Sequence, residues 1–205
     1  MSSRKTAIVT GSNSGIGLAT AEALAASGCN LVLNSFTDGE ADHKLAADLA
    51  KKHSVECAYI KADMAKPAEC RNLVAQAAKR FSSVDILVNN AGIQHVSPVE
   101  SFPIEKWDAI IAINLSSVFH TTAVAVPLMR KAGWGRIVNI ASAHGLRASP
   151  NKSAYVAAKH GVVGFTKTVA LEMAGSGVTS NAVCPGFVHT PLVEIQIKDR
   201  MKEHP

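Results

Sequence analysis

The chain has 205 residues and a mass of 21.5 kDa. This length is enough for one well-buried α/β domain and is short for two domains. Hydrophobic residues make up 47% and charged residues 18%, which excludes a disordered or fibrous protein. The formal net charge is +5, but the lysines and arginines are scattered without a basic run, so we expect no nucleic-acid partner. A modest positive field would still attract an anionic cofactor or a carboxylate substrate.

The cysteines and the N-terminus bear on localisation. Four cysteines lie far apart, without a CxxC pair or a His/Cys cluster at metal spacing. They indicate reduced thiols in a cytoplasmic protein, with neither a disulfide frame nor a metal site. The N-terminal MSSRKTAIVTG lacks the apolar core of a signal peptide. We find no apolar run near the roughly 20 residues that a membrane helix requires, so no membrane partner is expected.

Apolar segments of strand length alternate with helical patterns along the chain. The sequence predicts strands at 6–10, 30–34, 57–62, 85–90, 136–142 and 178–184, and helices near 15–27, 40–52, 67–80, 105–131 and 153–175. Continuous apolar strands must be buried on both faces, so this alternation predicts a parallel sheet with helices on either side. The expected fold is a single doubly wound α/β domain of Rossmann type over residues 1–205.

The first strand runs directly into TGSNSGIG, where Gly11, Gly15 and Gly17 precede or open a helix. Glycines let a backbone approach a pyrophosphate, and a helix N-terminus presents free N–H groups and partial positive charge to it. A tight turn with close helix packing would use the same glycines. The turn alone therefore leaves a nucleotide site and a purely structural turn both open.

Polar or glycine-containing segments follow the later strands. Asp63 follows the third strand, 89–92 (NNAG) the fourth, Ser142 the fifth and 184–186 (CPG) the sixth. Ligands of open α/β sheets bind outside the carboxyl ends of the strands. We therefore expect these groups to converge on one edge of the sheet.

Tyr155 and Lys159 are four residues apart on a predicted helix and so share one face. A free tyrosine has a pKa of about 10, but an ammonium and an oxidised nicotinamide nearby would favour the phenolate. The pair then predicts a general base for an alcohol proton. On spacing alone a solvated helix face is the simpler interpretation, whereas a nucleotide turn and a serine-terminated strand in the same chain favour the acid-base pair.

Six motifs occur together and in order: TGxxxGIG at 10–17, NNAG at 89–92, Asn114 in IAINLSS, Ser142 in NIAS, YVAAK at 155–159 and PGFVHTP at 185–191. The set resembles the short-chain dehydrogenase/reductase family over essentially the whole chain. The resemblance implies hydride transfer between a nicotinamide cofactor and an alcohol or carbonyl. It implies Tyr155 as general acid-base, Lys159 as the group that lowers its pKa, Ser142 as donor to the substrate oxygen and Asn114 as the residue that positions a relay water.

The same resemblance implies a cofactor site. Its expected members are Gly11, Asn13, Gly15, Ile16, Phe36, Asp63, Asn90, Gly92, Tyr155, Lys159, Pro185, Val188 and Thr190. Within the family, the stretches 85–122, 141–146 and 152–164 are similar to bacterial D-3-hydroxybutyrate dehydrogenases. That similarity implies NAD as cofactor, a homotetramer, and a small hydroxy or keto acid as substrate. The implied substrate site is Gln94, Ser142, His144, Lys152, Tyr155 and Gln196.

Three departures from the family pattern set the alternatives. The second strand ends in LNSFTD, with Asn34 in place of the acid that many NAD-dependent members carry; Asp38 is the nearby acid, and no basic residue suits a 2′-phosphate. Phe187 stands where tryptophan is common in the subfamily. The chain also stops about fifty residues early, before the expected lid remainder and seventh strand. The alternatives are an NADPH-dependent 3-oxoacyl or ketone reductase and a truncated NAD-binding protein with little activity.

Overall fold

Six parallel strands form the centre of the structure, a computed structural model that describes residues 4–189. The strands are β1 (Thr6–Val9), β2 (Asn30–Leu33), β3 (Cys57–Tyr59), β4 (Ile86–Asn89), β5 (Gly135–Ile140) and β6 (Val178–Val183). The helices are α1 (Gly15–Ala26), α2 (Glu40–His53), α3 (Pro67–Phe81), α4 (Ile104–Ile111), α5 (Ser117–Ala132) and α6 (Ser153–Glu172). A π-helical turn, Ala112–Ser116, joins α4 to α5, and 3₁₀ turns span Val99–Ser101 and Ala143–Gly145. The predicted strands and helices are confirmed with shifts of a few residues at their ends, except that the single helix predicted near 105–131 is divided into α4, the π turn and α5.

The strand order places the site. Across the sheet the order is β3-β2-β1-β4-β5-β6, so the chain leaves β3 at one edge and re-enters the sheet beside β1. The connections on either side of the β1–β4 pair therefore run in opposite directions, which opens a crevice at the carboxyl ends of these strands. This order is that of a doubly wound dinucleotide-binding fold, as the sequence predicts.

Successive side chains of β1 are buried in two apolar clusters, one on each face of the sheet. Ala7 and Val9 belong to an apolar cluster with residues of α1 and α2. Ile8 belongs to a second cluster, with residues of α3, α5 and α6. All three side chains are fully buried, because successive residues of a strand point to opposite faces and helices cover both.

The apolar helix pair α4 and α5 corrects one expectation. Together with the π turn it covers 29 residues, Ile104–Ala132, and an 18-residue window within it has a mean hydropathy of 1.7. By length and composition alone, the segment could cross a membrane. The prediction that the chain lacks an apolar run of about 20 residues was therefore wrong. This is weak evidence for a membrane span, because core helices pass the same test. Ala125 and Met129 are fully buried in the protein core, and α5 packs against α3 and β5.

Asp85 connects the starts of β4 and β1. Its carboxylate accepts hydrogen bonds from the Thr6 N–H at 2.9 Å, the Ser83 hydroxyl at 2.8 Å and the Lys5 ammonium at 2.9 Å. Burial by itself would raise the pKa of Asp85, but these hydrogen bonds outweigh it and hold the pKa below its ordinary value. The ionised form therefore stabilises the fold.

We expect Asp85→Ala to lower the free energy of unfolding by about 1–3 kcal/mol at neutral pH, because it leaves the Thr6 N–H buried without its acceptor. The folded pKa lies below the unfolded value of about 3.9, so this stabilisation is complete above the unfolded pKa and is lost as the pH falls through the folded pKa. Urea unfolding from about pH 7 down to about pH 3 measures both effects. The control is Asp48→Ala, which removes an exposed carboxylate paired with Lys44 and should cost under about 1 kcal/mol. Equal losses for the two variants would contradict the assignment.

Candidate active site

The glycine-rich turn after β1 has a conformation that side chains do not tolerate. Gly11 and Gly15 lie in the left-handed region, with φ of +59° and +56°. A Cβ on Gly17 would lie 2.3 Å from the Gly11 carbonyl oxygen and 2.4 Å from Nδ2 of Asn90. The glycines thus allow the start of α1 to approach the turn closely, which leaves the first N–H groups of the helix at the edge of the sheet.

Asn90 and Thr10 fasten this turn to the end of β4. Nδ2 of Asn90 donates to the carbonyl oxygens of Thr10 and Gly11, each at 2.9 Å. In return, the Thr10 hydroxyl accepts from the backbone N–H groups of Asn90 and Ala91. The side chain of Asn90 therefore holds the glycine-rich turn in place through these hydrogen bonds. Asn90 also lines the cavity described next.

A cavity of about 730 Å³ lies over the carboxyl edge of the sheet. Predicted site residues that line it are Gly11, Asn13, Gly15, Ile16, Phe36, Asp63, Asn90, Gly92, Gln94, Ser142, His144, Lys152, Tyr155, Lys159, Pro185 and Val188. Thr190 and Gln196 fall outside the residues that the structure describes. A glycine-lined helix N-terminus at the floor of a cavity of this size fits a nicotinamide dinucleotide. The structure thus brings the described members of the predicted site together, except Asn114.

Asn114 lies behind the cavity wall, in the π-helical turn. Its side chain is 1% exposed and makes two hydrogen bonds of 2.9 Å with Ile93, accepting from the backbone N–H and donating to the carbonyl. It thereby fixes the segment between Gly92 and Gln94, both of which line the cavity. Single π turns inside helices are frequent at functional sites, because they displace backbone groups from the regular ladder.

Ser142 follows β5 and caps the 3₁₀ turn that carries His144. Its Oγ accepts a hydrogen bond from the backbone N–H of His144 at 3.1 Å. Gly145 presses this turn onto α6, since a Cβ there would lie 2.8 Å from the carbonyl oxygen of Lys159. The Ser142 Oγ is therefore held by a backbone N–H, and it also lies 3.5 Å from Nδ1 of His144. Its proton can go to that ring or to an acceptor in the cavity.

The electrostatics of Tyr155 differ from the prediction. Burial raises the pKa of the Tyr155 phenol above its ordinary value, and a hydrogen bond with Ser142 offsets part of that rise. Lys159 is 4% exposed, its ammonium donates to the carbonyl of Ile140 at 2.7 Å, and it lies 5.7 Å from the centre of the Tyr155 ring. The described residues therefore keep Tyr155 protonated. The lowering of its pKa expected from Lys159 does not result from the chain by itself.

Burial lowers the pKa of Lys159 to about 8. The pKa of an unfolded lysine is about 10.4, so between about pH 8 and about pH 10 the unfolded state binds more protons at this site and stability rises with pH. We expect Lys159→Met to remove that rise. Denaturant titrations of wild type and variant across this range measure the difference. Lys167→Met, at an exposed position of the same helix, should keep the wild-type slope. A slope unchanged in Lys159→Met would show that the ammonium carries no burial penalty.

The end of the cavity beyond Tyr155 is rich in donors and cations. The His144 and Tyr155 rings meet edge to face, with centroids 6.0 Å apart. Burial, helped by the neighbouring Lys152 cation, holds the pKa of His144 below its ordinary value, so the imidazole is neutral at pH 7. Lys152 itself is 6% exposed. Gln94 lines the same cavity.

Arg147, which is not among the residues predicted from the sequence, also lines the cavity. Its backbone N–H bonds the carbonyl of Ala143, which fixes its position directly after the turn that carries His144. Among the cavity-lining residues that the structure describes, Asp63 is the only acid. The sequence signal was available, because Arg147 lies in the loop between Ser142 and Tyr155.

The opposite end of the cavity surrounds the end of β2. Asn34 is fully buried, and its amide donates to the carbonyls of Ser35, Ile60 and Ala62. It therefore joins β2 to the end of β3 and is not free to hold a ribose. Phe36, 71% exposed, stands on the cavity rim, while Asp63 accepts a hydrogen bond from the Ala65 N–H.

Comparisons with known proteins agree with this geometry. The family model described as "short chain dehydrogenase" matches residues 5–200. A D-beta-hydroxybutyrate dehydrogenase of Rhizobium meliloti (strain 1021) is 58% identical over 97% of this chain and 77% of its own length. One from Cupriavidus necator is 57% identical over 97% of this chain and 76% of its own. The crystal structure of a levodione reductase is 37% identical, with a TM-score of 0.91 over 98% of this chain and 78% of that one.

Proposed function

The chain belongs to the short-chain dehydrogenase family, and from this premise we propose that it interconverts D-3-hydroxybutyrate and acetoacetate with NAD. One observation carries the proposal. Ser142, Tyr155 and Lys159 line a single cavity that has a glycine-lined helix N-terminus at one end and cations without an acid at the other. The similarity to two D-beta-hydroxybutyrate dehydrogenases supports the choice of substrate.

NAD would supply the hydride acceptor when bound. In the oxidation, Tyr155 takes the proton of the substrate hydroxyl, and the hydride leaves the carbon that bears this hydroxyl. In the reduction, Tyr155 returns the proton to the oxygen. The phenolate needed for oxidation requires a positive charge beyond those of the chain, since burial favours the phenol. Ser142 donates its hydroxyl to the reacting oxygen, since one lone pair of its Oγ already accepts from the His144 N–H and its contact with the His144 ring is long, at 3.5 Å.

Lys159 and Asn114 have positioning roles in this proposal. The Lys159 ammonium, anchored on Ile140, lies close enough to Gly92 and Tyr155 to meet a cofactor ribose. Asn114 fixes the backbone at Ile93, and the adjoining π turn would hold the water that passes the proton onward. Each acts on the reaction through the placement of other groups.

The anionic end of a hydroxy acid fits the cavity beyond Tyr155. Lys152 and Arg147 are cations, neutral His144 and Gln94 supply hydrogen-bonding groups, and the one lining acid, Asp63, follows β3, away from them. Charge-assisted hydrogen bonds to a carboxylate are roughly twice as strong as neutral ones. A small 3-hydroxy acid would therefore be oriented with its carboxylate at this end and its hydroxyl at Ser142 and Tyr155.

The test is NADH formation from D-3-hydroxybutyrate, measured by absorbance beside the L enantiomer and beside NADP. Turnover specific for the D form with NAD supports the proposal. Activity only with NADPH and a 3-oxoacyl or ketone substrate would favour the reductase alternative. NAD binding by calorimetry without turnover would favour the alternative of an NAD-binding protein with little activity.

We also propose a cytoplasmic homo-oligomer. Apolar surface is exposed along α4 and α5, at Ile104, Trp107, Phe119 and Leu128. Exposed apolar surface of this kind is often buried when copies of a chain assemble. Sedimentation equilibrium tests this, and a monomer at micromolar concentration would overturn it.

A further inference from the structure

Asp42 is a buried carboxylate beside the end of the cavity formed by the glycine turn and β2. It lies in the first turn of α2 and is 8% exposed. One carboxylate oxygen accepts from Nδ2 of Asn13 at 3.3 Å, and the other accepts from the Gly39 N–H at 3.1 Å. The Thr37 hydroxyl adds a further hydrogen bond. Within residues 4–189, no lysine or arginine forms an ion pair with it.

The charge on this carboxylate is persistent. The Thr37 hydrogen bond holds the pKa of Asp42 below its ordinary value despite burial, and the Gly39 and Asn13 bonds act in the same direction. Its place at a helix N-terminus favours the ionised form too. Asp42 is therefore a fixed negative charge one hydrogen bond behind a residue of the cavity wall.

The contact with Asp42 also determines which end of the Asn13 side-chain amide faces the carboxylate. An ionised carboxylate only accepts hydrogen bonds, so the Asn13 amide must turn its nitrogen toward Asp42. The amide oxygen is then the group turned away from the carboxylate. Asn13 lines the cavity, so the wall offers an acceptor at this position with a negative charge directly behind it.

Two other polar residues at this end of the cavity, Asp38 and Asn34, do not offer an acceptor backed by a buried negative charge. Asp38, the acid that the sequence pointed to, is half exposed and bonds the His43 ring at 2.9 Å. Asn34 is occupied by backbone carbonyls. The lysines and arginines among the described lining residues are Arg147, Lys152 and Lys159. All three follow β5 in the chain, whereas this end of the cavity is formed by residues that follow β1 and β2.

We propose that the Asn13–Asp42 pair selects an adenosine ribose with a free 2′-hydroxyl and rejects one with a 2′-phosphate. The Asn13 oxygen accepts a bond from a hydroxyl, which a phosphate dianion cannot donate, and the Asp42 charge repels the phosphate. The inference rests on the proposed function, because it assumes that the cavity binds a nicotinamide dinucleotide. The two residues together would account for a preference for NAD over NADP.

The test is calorimetric binding of NAD and NADP, and of the fragments 5′-AMP and adenosine 2′,5′-bisphosphate, to wild type and Asp42→Asn. The variant should bind NADP at least about tenfold more tightly than wild type and NAD no better, since the charge is gone and the Asn13 amide is free to turn. The fragment pair should show the same change. Glu40→Gln is the matched control, because it removes an exposed charge from the same helical turn without a contact to Asn13.

Three outcomes separate the claims. An unchanged NAD-to-NADP affinity ratio in Asp42→Asn, or an equal change in Glu40→Gln, overturns the inference and leaves the proposed function standing. Failure of wild type to bind either dinucleotide overturns the proposed function. Should Asp42→Asn unfold, Asn13→Ala decides: we expect weaker NAD binding with NADP still rejected, and a gain in NADP affinity would contradict the role of Asp42.

Discussion

Replacing Tyr155 by phenylalanine should lower kcat by about 10³- to 10⁴-fold while NAD affinity changes less than about threefold. In the proposed reaction the Tyr155 phenol exchanges a proton with the substrate hydroxyl beside Ser142, and general acid-base catalysis contributes about 10²- to 10⁴-fold. The ring, which packs against His144, is retained in the variant. Steady-state kinetics give kcat, and calorimetry gives the NAD affinity.

The matched control for this result is the other tyrosine of the chain. Tyr59 donates its hydroxyl to the carbonyl of Thr37 and does not line the cavity. Tyr59→Phe removes the same atom from a different place, so kcat should stay within about threefold of wild type. A comparable loss in both variants would mean that the effect of Tyr155→Phe is structural. Retained turnover in Tyr155→Phe would refute the acid-base assignment.

Replacing Gly17 by alanine should weaken NAD binding by more than about tenfold and lower the free energy of unfolding by about 2–3 kcal/mol. A Cβ at this position would lie 2.3 Å from a backbone oxygen of Gly11 and 2.4 Å from Nδ2 of Asn90. Neither neighbour can move away without a cost in free energy. The Gly11 oxygen belongs to the backbone, and Nδ2 of Asn90 donates hydrogen bonds to two carbonyls of the turn. The start of α1 must therefore move away from the turn that would bind a pyrophosphate.

Gly164→Ala makes the same chemical change in α6, where a Cβ meets nothing within 4 Å. Alanine has the higher helix propensity, so this control should be neutral or more stable by about 0.5–1 kcal/mol. Urea unfolding of the two variants and calorimetry with NAD provide the comparison. The close packing of the turn would be disproved by a Gly17→Ala protein as stable as wild type.

Part of the site was accessible from local sequence. The Tyr155–Lys159 pair shares a helix face whatever else the chain does, and the carboxyl ends of parallel strands meet at one edge. These are properties of backbone geometry, so the described predicted residues reach one cavity, with Asn114 the exception. The partners of Asn34 were not accessible in this way, because its amide bonds carbonyls at Ile60 and Ala62, far along the chain.

The alternation of strands and helices, the glycine turn and the shared sheet edge of Ser142, Tyr155 and Lys159 were all predictable from residue order. Each depends on periodicity or on the conformation of single residues. Tertiary structure decided the electrostatics. The raised pKa of Tyr155, the lowered pKa of Lys159 and the buried charge of Asp42 depend on desolvation and on hydrogen bonds from other segments. Such quantities are set by the whole set of neighbours in three dimensions, which residue spacing does not specify.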